Sequence, residues 1–146
     1  MDFQFPLQKL LNYKENIEEK KKEKLAHVQD KRRILEEELL VTQRRHKLCT
    51  INTPAKKVNI LMFGHQLAYM EYLDGIIDEQ ASAVKEASFT VDKCRVEVVE
   101  ASRDRKVIEK LKGKQENIYY KEMDRKELME LNEMALNKFF EENKKN

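Results

Sequence analysis

The sequence predicts an all-α protein: an antiparallel two-helix coiled-coil hairpin whose second helix is much longer than its first. Three observations carry this. Charged residues make up 38% of the chain and hydrophobic ones 40%, with 3 Gly, 2 Pro and no Trp, a balance typical of long helices with a thin apolar seam. Apolar residues recur in steps of three and four over most of the length. One cluster of turn residues, "TINTPAKK" from Thr50 to Lys57, is the clearest interruption, and a short link between two long helices makes them antiparallel neighbours.

The first helix is expected over about residues 4–49, opening at Pro6, which a first helical turn tolerates because it needs no N–H there. Its apolar series is Leu7, Leu10, Ile17, Leu25, Val28, Leu35 and Leu39, and the intervening seam positions are Lys14, Lys21, Arg32 and Thr42. Two steps of four in succession, 17 to 21 to 25, read as a stutter that relaxes the supercoil. The turn is expected at about 50–55, with Thr53 capping the second helix and Pro54 at its first position.

The second helix is expected over about 56–142, so that residues 1–146 form one coiled-coil domain. Its seam is regular: Ile77, Gln80, Val84, Ala87, Val91, Cys94, Val98, Ala101, Arg105 and Ile108. A heptad sustained this far is strong evidence for a coiled coil. It continues loosely through Leu111, Ile118, Leu128, Leu131, Ala135 and Phe139, and Gly64, Gly75 and Gly113 are weak points within it.

A turn centred near residue 53 sets Leu39 against Leu67, Leu10 against Val96 and Cys94 against Asn12. On that register the first helix ends opposite Arg103, and the second continues alone for roughly 60 Å at the helical rise. The overhang would carry Ile108, Leu111, Ile118, Leu128, Leu131, Phe139 and Phe140 together with a basic cluster, Arg103, Arg105, Lys106, Lys110, Lys112 and Lys114. Such a prong suits either pairing with another helix or insertion into an acidic partner. A second feature lies near the start of the second helix. Tyr69, Leu73, Ile76 and Gln80 make a stripe beside the seam, read either as a wider local core over Leu39, Leu40 and Val41 or as a contact surface.

Several function classes find no support. Catalytic and nucleotide-binding motifs are missing, the histidines His27, His46 and His65 share no ligand spacing, and no catalytic, cofactor-binding or metal site is expected. A thin coiled coil also offers no concave pocket. The net charge of +2 argues against a general nucleic-acid binder. The basic run "ENIEEKKKEK" reads as a solvated face stitched by Glu–Lys pairs. No apolar run approaches the roughly 20 residues of a membrane span and no secretory signal opens the chain, so a cytoplasmic protein without direct membrane insertion is expected. Cys49 and Cys94 do not form a disulfide framework, being tens of ångströms apart in the expected register.

Three segments, "FPLQKLLNYKE", "YMEYLDGIIDEQ" and "EASRDRKVIEKLKGKQENIYYKEMDRKE…LNEMALNKF", together resemble the FliJ family of the flagellar type III protein-export apparatus. The likeness covers nearly the whole chain in the family's order. The family's usual ending is changed here at Glu127, Leu128, Met129 and at Leu131, Asn132, Glu133. The resemblance implies a non-enzymatic coiled-coil stalk that docks in the hexameric export ATPase, promotes its assembly and activity, contacts the membrane export gate and escorts export chaperones. It also implies a peripheral location at the inner-membrane apparatus. The family's gate-contact positions align with Tyr69, Leu73, Ile76 and Gln80, and the ATPase contacts fall to the basic overhang, Arg103 to Lys114. The alternatives are the equivalent stalk of a virulence secretion system or an unrelated coiled-coil scaffold.

Overall fold

The computed structural model describes residues 2–52 and 59–144. They form two helices, α1 (Gln8–Ile51, 44 residues) and α2 (Ile60–Lys144, 85 residues), with no strand among the described residues. The second is much the longer, as the sequence predicts. The chain divides into two compact units to which both helices contribute: one is Glu18–Ala101, the other Met1–Ile17 with Ser102–Asn146. Both are antiparallel pairs. In the first unit Lys21 meets Glu97 and His46 meets Asp74. In the second, Lys112 donates to Gln8 and Lys14 meets Asp104.

The ends of the helices follow local chemistry. Ahead of α1, Pro6 and Leu7 form a turn closed by the Gln8 amide on the Phe5 carbonyl at 3.1 Å, so the helix begins a turn later than expected. Proline presets the backbone angle for such a position. At the start of α2 the Asn59 side chain accepts a hydrogen bond from the Leu61 amide at 3.1 Å, and the Asn59 carbonyl accepts the Phe63 amide. This is an N-cap, satisfying donors that the first helical turn leaves unpaired. The cap expected at Thr53 and Pro54 lies outside the described residues. α2 runs without interruption through Gly64, Gly75 and Gly113.

In the Glu18–Ala101 unit the inward face of α2 carries Met70, Leu73, Ile77, Gln80, Val84, Ala87, Val91, Cys94, Val98 and Ala101, in strict steps of three and four. Arg105 and Ile108 turn inward likewise in the other unit. Every expected seam position from Ile77 to Ile108 is therefore covered. Val91 is the one fully buried side chain among the described residues, with Leu73 and Cys94 close behind. No disulfide links the half-buried Cys49 to the buried Cys94.

The α1 seam departs from expectation. Leu7 and Leu10 are exposed and Leu11 is buried. Glu18, not Ile17, is the more deeply covered residue, with its carboxylate 3.0 Å from Lys22. From Glu18 the inward positions are Lys21, Leu25, Val28, Arg32, Leu35, Leu39 and Thr42. The expected stutter is absent, because Glu18 restores the three-four alternation that Ile17 breaks. Thr42 is buried by returning its hydroxyl to the Glu38 carbonyl.

The register also differs. With a turn at residue 53, Lys14 would face Asp92; it reaches Asp104 instead. In the Glu18–Ala101 unit Gln66, not Leu67, lies inward and donates to the Cys49 carbonyl at 2.7 Å. Consequently Ile60, Leu61 and Met62, at the start of α2, are strongly exposed. In the other unit, among the described residues, the contact shown furthest along α2 from the N-terminal segment is Phe3 against the Tyr119 ring, with centroids 5.6 Å apart. The lone part of α2 therefore starts after Tyr119, not at Arg103. From Tyr120 to Lys144 it extends about 36 Å, and only Met123 is partly covered.

Lys21 and Glu97 anchor the register of the Glu18–Ala101 unit at 2.8 Å, with Lys24 also 3.4 Å from the same carboxylate. The hydrogen bond to Glu97 raises the Lys21 pKa above its ordinary 10.5. The same bond holds the Glu97 carboxyl below its ordinary 4.5. The lowered carboxyl stabilises the fold above the unfolded value near 4.5, and that stability is lost as pH falls through the folded pKa. The raised amine stabilises the fold below the unfolded value near 10.5, and that stability is lost as pH rises through the folded pKa. Glu97→Gln is thus expected to lower the melting temperature slightly at neutral pH and to lower it less at acid pH, as the carboxyl becomes protonated. An equal fall at both pH values, followed by circular dichroism, would assign the effect to packing.

Candidate partner-binding surfaces

The basic cluster divides in two when it is placed on α2. Arg103, Lys106, Lys110 and Lys114 are exposed, and their steps of three, four and four put them on one face. Arg105 and Lys112 turn towards the seam. The Arg105 guanidinium lies 2.7 Å from Glu109, and the Lys112 ammonium donates to the Gln8 side-chain oxygen at 3.0 Å. The six are therefore not one surface: four form an exposed stripe, Arg105 pairs along α2 and Lys112 bonds to the N-terminal segment. All six lie alongside the N-terminal segment rather than on a lone prong.

The exposed stripe is longer than the sequence reading made it. Lys121 and Arg125 are exposed and continue the same face. Seven residues, two turns, separate Lys114 from Lys121, so periodicity alone could have found them. The lone part of α2 is different in charge. Its acidic side chains, among them Glu127, Glu130, Glu133, Glu141 and Glu142, outnumber its basic ones. It exposes Leu128, Leu131, Phe139 and Phe140, and the last two rings meet edge to face at 6.1 Å.

The second surface lies in the Glu18–Ala101 unit. Tyr69 is 44% exposed and stacks with Tyr72 at 6.4 Å. Ile76 and Gln80 are half-buried, and Leu73 is 3% exposed. Leu73 is thus a core residue, shared between the seam and the stripe, while Leu40 and Val41 of the wider-core reading remain about half exposed. Gln80 lines an open groove of about 360 Å³ with Ile34, Val41 and Thr42, and its amide oxygen is buried without a donor among the described residues.

Among the described residues no group of His, Cys, Asp or Glu is placed to hold a metal ion, and no helix is long and apolar enough to cross a membrane. What the described residues display is a cationic stripe, an aromatic edge and an apolar helix end. These features define a helical-hairpin coiled-coil protein with exposed charged and apolar faces. The chain matches the model of the flagellar FliJ protein family over residues 3–144. It belongs to that family, and is a component of the flagellar export apparatus. Comparisons with curated proteins and with solved structures give no match.

Proposed function

We propose that this chain is a non-catalytic coupling rod of the export apparatus. Its α2 stripe enters the central opening of the hexameric export ATPase and promotes ring assembly and hydrolysis. The observation that carries this reading is the run of exposed cations Arg103, Lys106, Lys110, Lys114, Lys121 and Arg125 on a single helix face. A helix bearing one charged face can meet equivalent acidic groups on several ring subunits in turn, and its positive potential speeds the encounter. Arg105 and Lys112 serve by fixing the helix rather than by touching the ring.

Tyr69 and Ile76, with Gln80 at the adjoining groove, form the contact to the membrane export gate, and Leu73 supports them from beneath. The exposed apolar residues of the lone α2 segment suit export chaperones, which would be escorted rather than chemically altered. The protein then works on the cytoplasmic side of the inner membrane, at the periphery of the apparatus. No nucleic acid or cofactor enters this scheme. The family match favours the flagellar system over a virulence counterpart. The test is hydrolysis by the purified export ATPase with and without this chain. Stimulation that declines with rising salt supports the reading; none at any salt overturns it.

A further inference from the structure

The end of the Glu18–Ala101 unit nearest the turn has a charge pattern unlike the rest of the chain. Between Glu38 and Glu71 the sequence has no Asp or Glu, although acidic and basic residues nearly balance in the whole protein. The same stretch holds Arg44, Arg45 and Lys47, all exposed on the last turns of α1. Arg44, Lys47, Leu48 and Ile51 follow the spacing i, i+3, i+4, i+7, so cations and apolar side chains share one face. Leu48 and Ile51 are well exposed. On the other helix α2 begins with Ile60 at 88% and Leu61 at 74% exposure, ahead of the Gln66 that meets Cys49. The hydrogen bond from Gln66 to the Cys49 carbonyl holds the two helix ends together.

Large aliphatic side chains this exposed mark a contact surface. Two properties identify what covers it. The apolar groups project from a helix end rather than line a groove, so they suit a soft medium better than a shaped pocket. The charge carried by the stretch itself is of one sign; the nearest acidic side chain shown against it, Asp74 of α2, is paired with His46 at 3.0 Å, which leaves Arg44 and Lys47 to attract an anionic surface. An anionic bilayer interface meets both demands, since it takes aliphatic side chains at the headgroup–acyl boundary and attracts nearby Lys and Arg. We propose that this end of the protein adsorbs on anionic lipid, with Ile60 and Leu61 entering the interface and Arg44 and Lys47 lying over the acidic headgroups. This is adsorption and not spanning, in keeping with helices too polar to cross a membrane. It is independent of the ATPase reading, because it uses neither the α2 stripe nor the lone segment.

The experiment is flotation of the full chain with vesicles of phosphatidylcholine alone or with roughly 30% phosphatidylglycerol. The expected result is binding to the anionic vesicles at low salt and release at about 0.5 M salt, where screening is short-ranged. Arg44→Ala with Lys47→Ala should weaken binding about 25-fold, at roughly five-fold per cation. Ile60→Ser with Leu61→Ser should weaken it too, while circular dichroism stays helical. Lys110→Glu, on the other unit, should leave binding within about two-fold of the parent. Failure to bind anionic vesicles, equal binding to neutral ones, or binding unaffected by both tip variants would overturn the proposal. So would tip variants that impair capture of the gate protein's cytoplasmic domain when no vesicle binding exists, since the occupant would then be protein.

Discussion

Val91→Asp unfolds the Glu18–Ala101 unit. Val91 is 0% exposed, and the other buried apolar side chains of that unit are few: Leu73, Cys94 and Ala101. A carboxylate there would be shut away from water, and an uncompensated buried charge costs about 3–5 kcal/mol. A two-helix pair has little reserve, since whole domains are stable by only about 5–15 kcal/mol. Ellipticity at 222 nm should therefore fall sharply at room temperature. Val91→Ala, which leaves only a small cavity, should cost about 1–3 kcal/mol and stay folded. Phe89→Asp, two residues earlier but 73% exposed, should change little. A Val91→Asp chain that melts like the parent would show that the seam is not the source of stability.

The second large effect is on the stripe. Arg103→Glu, Lys106→Glu, Lys110→Glu and Lys114→Glu together should raise the concentration needed for half-maximal ATPase stimulation by at least about 100-fold near physiological salt. All four side chains are exposed, so helicity should be unchanged. Arg105→Glu is the wrong probe. It breaks the 2.7 Å ion pair with Glu109 at a half-buried site, and would confuse lost binding with lost structure. For the same reason the proposed gate contact is better tested with Tyr69→Ala and Ile76→Ala than with Leu73→Ala, which removes core. Stimulation unchanged by the four-fold reversal would move the ATPase contact off this face.

These residues also show what the sequence could reveal. The α2 seam from Ile77 to Ile108 was legible in full, because a heptad states directly which side chains turn inward. Register was not legible. The observed partners are displaced from the expected ones by about two heptads, and such a shift sets seam residues against seam residues again. Periodicity is blind to it. What distinguishes the registers is polar pairing across the helices, as between Lys21 and Glu97 or Lys14 and Asp104, together with the Asn59 cap. In α1 the preference for apolar residues misled. Strict alternation passes through Glu18, and following it in place of Ile17 would have removed the stutter and favoured Leu11 over Leu10.

The site was half legible for the same reason. Composition located the basic cluster, but only its placement on a helix separates the stripe of Arg103, Lys106, Lys110 and Lys114 from the seam-facing Arg105 and Lys112. The difference in register carried over to the candidate surface: the sequence places on a lone prong residues that lie in the paired part of α2. The lone segment beyond Tyr119 leans acidic instead. Leu73 likewise belongs to two periodic series at once, and burial assigns it to the core.

The central claim is that one copy of this chain occupies the bore of a six-membered ATPase ring. Native mass measurement of the complex, assembled with excess chain, tests it most directly. The account predicts a species with one chain per hexamer, lost on charge reversal of the α2 stripe. A species carrying one chain on every ATPase subunit, or an ATPase ring that never retains the chain, would contradict it.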